Sequence, residues 1–375
     1  MNRAARDPNT DLIRALAIAL VLVHHVVQSL SGVPESVRAY SMLGAYGVDL
    51  FFVLSGWLVG GLYWREQASL GSVSIRRFWG RRWLRTVPPY VAALVLSFAA
   101  VAVARGERFD WHYLLFAQNY LPQLPFFLVS WSLCVEEHFY LALPLVLGAA
   151  AAVNLRLAFL AAIAVIVAAT ARLIDPGAVP GAPFGYAQTA THLHLEGLVM
   201  GVALARMSVN LPGSFAHLRS VARALLLPLC IGFATIPLWT AAATYYWGNT
   251  YVSVLCAAVV AGFAGARAIP VAASVPVRNL ALWSYSIYLT HALVLHVVAL
   301  PALHLPQAVA TVLALGAIAA AGWGMHVCVE QPSMRLRDAW LPSRTATPAE
   351  VQPNLVELAG IEPASASLPR ADLHA

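Results

Sequence analysis

Ten segments of this chain are long and apolar enough to cross a lipid bilayer: residues 11–30, 44–64, 87–104, 133–153, 155–173, 191–208, 221–241, 250–268, 279–300 and 308–330. A helix rising 1.5 Å per residue needs about 20 residues to cover the hydrocarbon core. Lipid offers no partner to a bare N–H or C=O, so such segments span as helices, whose backbone groups satisfy one another. The expected fold is therefore all-α: a polytopic integral membrane protein of about ten transmembrane helices. Composition removes the soluble alternative. Of the 375 residues 60% are apolar and 11% charged, whereas a soluble domain carries about a quarter charged residues.

The net charge of +6 does not point to nucleic acid, because all the basic residues are Arg and most lie between apolar runs. With the N-terminus inside, 19 Arg fall on the inner side and four (Arg38, Arg105, Arg108, Arg172) outside. That asymmetry sets both termini in the cytoplasm and the protein in the cytoplasmic (inner) membrane. The first apolar run lacks a small-residue cleavage site and reads as a retained helix rather than a signal peptide. Cys134, Cys230, Cys256 and Cys328 have no CxxC spacing and read as small buried hydrophobes. Residues 1–340 form the expected transmembrane domain, and 341–375, rich in Pro, Ala and Ser, a disordered tail.

A charge at a helix centre costs about 2.5–3.5 kcal/mol on insertion scales, so ionisable residues inside the spans are candidates for function. In the first span Arg14 and His25 are eleven positions apart, about 1100° of helix, and so share one face with a rise of about 16 Å between them. An imidazole titrates near neutrality and can take a proton from a hydroxyl; His24, about 100° away, reads as a bundle residue. In GVDLFFVLSGWLVGG (47–61), Asp49 either caps the helix start or orients a reacting group, and Ser55 lies among small residues that permit close approach. The stretch RRFWGRRWLRTVPPY (76–90) carries five Arg beside aromatics, suited either to phosphate or to plain inside topology. In SWSLCVEEHFYLALP (130–144) Glu136 and Glu137 are adjacent carboxylates at a helix entrance, fit for acid–base or orienting work. In SYSIYLTH (284–291) Ser284, Tyr288 and His291 make one polar stripe. HLHLEG (192–197) lacks the HExxH spacing, and no metal is expected.

Six blocks in order resemble the membrane acyltransferase-3 superfamily of integral-membrane O-acyltransferases. They are Arg14-x10-His25; GVDLFFVLSGWLVG; the Arg82-x-x-Arg85 loop with Pro88 and Tyr90; SWSLCVEEHFYLALP; SYSIYLTH; and Glu330 with Pro332 in VEQPSMR. The resemblance implies transfer of an acyl group, commonly acetyl, from acyl-coenzyme A to a hydroxyl of a carbohydrate or macrolide acceptor. It implies a catalytic set of His25 and its partner Arg14 with Glu136, Glu137 and Asp49. Arg81, Arg82, Arg85 and Tyr90 would bind the donor, and Ser55, Trp131, Tyr288 and His291 the acceptor. His138 stands where the family commonly has Gln, and His194-x-Glu196 where Arg-x-Asp is common. The alternative reading is a secondary transporter or flippase of a sugar-linked substrate, since intramembrane Arg, Asp, Glu and His would also suit proton coupling.

Overall fold

The computed structural model describes residues 7–102, 106, 108–152, 157–175, 177, 179, 182, 184–298 and 306–342. Among them there is no strand. The long helices are α1 (Pro8–Ser29), α2 (Gly47–Leu70), α3 (Ile75–Ser97), α4 (Trp131–Ala152), α5 (Leu157–Ile174), α6 (Leu195–Asn210), α7 (Pro212–Thr235), α8 (Asn249–Phe263), α9 (Val275–Val298) and α10 (Gln307–Met325), followed by the shorter α11 (Gln331–Trp340). Eight helical stretches have the length and hydropathy of a span. The ten expected from sequence include α5 and α6, which are shorter, at 18 and 16 residues. Almost all of the expected tail lies outside the described residues.

Local chemistry fixes where α1 begins. Asp7 caps it by accepting from the Asn9 N–H at 3.1 Å, and Pro8 supplies a first-turn residue that has no N–H to satisfy. Asn9 then ties this end to the segment after α8. Its amide donates to the Phe263, Ala266 and Arg267 carbonyls at 3.0, 3.2 and 3.1 Å and accepts from Ile269 N–H at 2.9 Å. All of its amide's capacity is spent on backbone that would otherwise be unsatisfied.

The tightest helix pair is α2 with α6. A Cβ at Gly56 would stand 2.0 Å from the Leu198 carbonyl oxygen, and one at Gly201 2.1 Å from that of Val53. In lipid, helices associate by close packing rather than by the hydrophobic effect, and small residues allow their backbones to meet. α2 therefore serves as the central post, with α1, α8 and α6 around it. α1 also packs on α9, and α9 on α10.

The end of the bundle opposite the Arg-rich segment is closed by residues 108–130. Tyr113, Gln118 and Asn119 are wholly buried there. Tyr90 donates to the Tyr113 carbonyl at 2.7 Å, Gln118 donates to the Tyr90 hydroxyl at 3.1 Å, and Asn119 donates to Thr189 O at 3.0 Å. The loop is thus a packed plug over the ends of α3, α4 and α6.

Candidate active site

A cavity of about 100 Å³ lies among α1, α2, α3, α4 and α9. Its polar wall comprises Arg14, Ser55, Arg82, Arg85, Glu136 and Tyr288. It shares Arg14, Arg82, Arg85 and Tyr285 with a wider vestibule of about 610 Å³ at the arginine-bearing end, where Asp7, Arg65 and Arg337 also stand. The two cavities therefore adjoin at these residues.

Arg82 is only 8% exposed, and among the described residues no carboxylate lies within ion-pair distance of it or of Arg85. A buried guanidinium without a counter-ion is costly unless something else supplies negative charge. The carboxylate of Glu136 lies against the Ser55 and Tyr140 hydroxyls, with the Arg82 and Arg85 charges nearby. Ser55 and Tyr140 share a 2.6 Å hydrogen bond, and Ser132 and Tyr288 one of 2.7 Å. Glu137 points elsewhere: it accepts from Thr86 Oγ1 at 2.6 Å and is almost fully buried. Its other oxygen finds no protein donor among the described residues.

Beyond Tyr288 stands a histidine pair. The His25 ring centroid is 4.7 Å from that of His291 with the planes at 75°, and His291 is 5.7 Å from Tyr288. His25 Nδ1 bonds the Val21 carbonyl at 2.9 Å, and His291 Nδ1 the Tyr288 and Ile287 carbonyls at 2.7 and 3.2 Å. A carbonyl can only accept. In the neutral rings Nδ1 therefore carries the hydrogen and Nε2 keeps its lone pair. On His291, which is wholly buried, that Nε2 has no protein partner among the described residues.

The other residues singled out from sequence lie outside this line. Asp49 is in the first turn of α2, within the field of Arg172 and Glu196. Arg172 is 2% exposed and pairs with Glu196 at 2.5 Å, while Thr250 donates to the same carboxylate oxygen at 2.8 Å. Trp131 packs on His194, with centroids 4.8 Å apart, and does not line the cavity. Tyr90 is 1% exposed and holds the plug. Arg81 is engaged by Asp338 and the Leu341 carbonyl. The sequence reading assigned no role to Tyr140, although it stands at i+3 from Glu137, and it missed Thr86 and Tyr285. Thr86 was accessible from helical spacing, at i+4 from Arg82. Among the described residues no group of three or more His, Cys, Asp or Glu could hold a metal ion.

Comparison with known proteins accords with the motif resemblance. The acyltransferase-3 model, described as an acyltransferase domain, matches residues 7–326. The O-acetyltransferase OatA of Staphylococcus aureus, strains NCTC 8325 and COL, is 30% identical over 158 residues, which are 37% of this chain and 24% of OatA. Further S. aureus relatives, including one from strain N315, are 28% identical over the same length. The match thus spans about a quarter of the length of these curated relatives. No solved structure matches the chain. With a family match from the cap of α1 to the end of α10, and with all six sequence blocks in order, this chain belongs to the acyltransferase-3 family.

Proposed function

We propose that the protein is a multi-pass O-acyltransferase of the cytoplasmic membrane, with both termini inside. It moves an acyl group, acetyl first among them, from acyl-coenzyme A to a hydroxyl of a carbohydrate or macrolide acceptor. The observation that carries this reading is Arg82: a buried guanidinium with no carboxylate at ion-pair distance among the described residues, lining both the inner cavity and a vestibule rich in Arg. Such a group seeks an anion, and an Arg fork matches phosphate. The donor's phosphates would rest in the vestibule while its pantetheine arm runs inward along the face shared by Arg14 and His25, about 16 Å apart along the helix.

His25 Nε2 would take the hydroxyl proton. The hydroxyl oxygen forms a bond to the thioester carbonyl carbon, the carbon–sulfur bond breaks, and the leaving thiolate receives the proton from His25. Nothing else is consumed. Arg14, Glu136 and Glu137 would serve as orienting or charge-stabilising groups, and Ser55, Tyr288 and His291 as the acceptor side.

The test is transfer of radiolabel from acetyl-coenzyme A in membranes expressing the protein, wild type beside His25→Ala, with a panel of glycans and macrolides. Label on one acceptor that vanishes in the variant supports donor, reaction and base together. Equal label in both keeps the reaction and removes His25 from it. Substrate flux into proteoliposomes without any acyl donor would replace the reading with a transporter.

A further inference from the structure

Past Met325 the helix runs on through a π-helical stretch, His326–Glu330, into α11, which lies along α3. The junction is fixed by polar contacts. Arg81 donates to the Leu341 carbonyl, and its Nη2 lies 3.3 Å from Asp338 Oδ1. Arg337 donates to the same Oδ1 through Nε at 2.9 Å, and its Nη2 is 2.8 Å away. Asp338 thus holds two guanidiniums, one from each helix.

Three observations make this more than a helix clasp. Arg337 lines the vestibule together with Arg14, Arg65, Arg82 and Arg85. Its Nε and Nη2 are committed to Asp338, which leaves Nη1, with two hydrogens, free of protein partners among the described residues. The charges of Arg81, Arg82, Arg85 and Arg337 are also near enough to oppose one another, and Asp338 is the carboxylate that bridges two of them. Of the acids on the vestibule wall, Asp11 lies 3.9 Å from Arg14, and the other two are engaged elsewhere. Glu330 accepts from Ser286 and His326 at 2.7 and 2.9 Å, and Asp7 caps α1 and accepts from Gly265 N–H at 2.8 Å. Like charges gathered in a half-buried vestibule are unfavourable until an anion joins them.

We propose that Arg337 is a phosphate-binding residue at the vestibule, gripping a phosphate of the acyl-coenzyme A donor beside Arg82 and Arg85. Asp338 is its positioning residue and commits Arg81 to anchoring α11. This rests on the donor reading given above. An anionic lipid headgroup offers the same phosphate chemistry, so the experiment has a lipid arm.

The purified full chain is placed in nanodiscs of zwitterionic lipid, and equilibrium binding of radiolabelled coenzyme A is measured for wild type, Arg337→Gln, Arg337→Lys and Arg335→Gln. Arg335 sits on the same helix, exposed and, among the described residues, bonded only to Gln331, and is the control. A lost charge-assisted contact raises Kd by about 10-fold or more in Arg337→Gln. Arg337→Lys, which keeps the charge but loses the fork, rises less and guards against a misfolded Gln variant, and Arg335→Gln matches wild type. If wild type binds and Arg337→Gln binds equally well, this inference fails and the donor reading stands. If wild type does not bind coenzyme A, both fall. If the variants differ from wild type only in nanodiscs containing phosphatidylglycerol, the lipid owns Arg337 and the inference is overturned.

Discussion

His25 and His291 face each other edge to face, 4.7 Å between ring centroids, with both Nδ1 atoms turned back onto their own helices. Each ring thus keeps its lone pair on Nε2, the nitrogen further from the backbone. His24 touches His25 as well, at 4.7 Å, but its Nδ1 bonds the Ser41 carbonyl at 3.2 Å, in the connection between α1 and α2. The two neighbouring histidines of one sequence doublet therefore have different surroundings, and mutation should separate them.

On the reading that His25 is the base, His25→Ala lowers kcat by about 10²–10⁴-fold, the span of general-base contributions. His24→Ala leaves kcat within a few-fold, since its ring faces Ser41 rather than His291. Steady-state acetyl transfer by the two variants, both checked for monodispersity, measures the difference. Equal losses would mean that the doublet acts through packing.

Much of this arrangement was legible in the chain. Hydropathy marked the long helices, because lipid leaves no other home for such runs, and an eleven-residue separation was enough to put Arg14 and His25 on one face. The exception is α3, which starts at Ile75 and takes in the Arg82-x-x-Arg85 stretch read as a loop before a span over 87–104. What escaped depends on contacts between remote segments. Arg172 reads as the end of an apolar run and was assigned to an outer loop, yet it is sealed against Glu196, 24 positions on. Asp49 belongs beside that pair, and no local pattern says so. Arg337 stands in a polar C-terminal stretch, and only the packing of α11 on α3 brings it to the vestibule.

The α2–α6 contact leaves no room for a methyl group. Gly56→Ala would press Cβ against the Leu198 carbonyl oxygen, 2.0 Å away. Overpacking of this kind costs about 1–3 kcal/mol and sometimes more, and it lowers the melting temperature in detergent. Gly148→Ala is the internal contrast, since nothing stands within 4 Å of its would-be Cβ; helix propensity gives it a gain of up to about 1 kcal/mol. A Gly56→Ala protein that melts with wild type would disprove the tight contact.

The Arg172–Glu196 pair is buried on both sides. Removing one partner leaves an uncompensated charge, which costs about 3–5 kcal/mol. Arg172→Leu and Glu196→Leu should each lower folded yield sharply, and the double replacement should recover part of the loss. Thr250→Val should cost less, because it removes two hydrogen bonds, one to Glu196 and one from Arg172, and no charge. Size-exclusion profiles of the four proteins read this directly.

Asp175, in the loop after α5, accepts from the Tyr186 hydroxyl at 2.6 Å and sits 2.8 Å from His192 Nε2. The Tyr186 hydrogen bond, with the Gly177 N–H and His192, holds its carboxyl below the ordinary value. Burial and then Asp175 itself push Tyr186 up to about 12. A carboxyl depressed in the folded state stabilises it above the unfolded pKa of about 3.9, and that contribution is lost as pH falls through the folded value. The loop should therefore loosen on acidification below about pH 4. Hydrogen exchange in residues 184–194, followed from pH 6 down to pH 3 and corrected for intrinsic rates, should show protection falling in wild type. In Asp175→Asn protection should already be low at pH 6 and change little with acid, because the variant has no carboxyl left to titrate; a parallel fall in both would trace the loosening to another group.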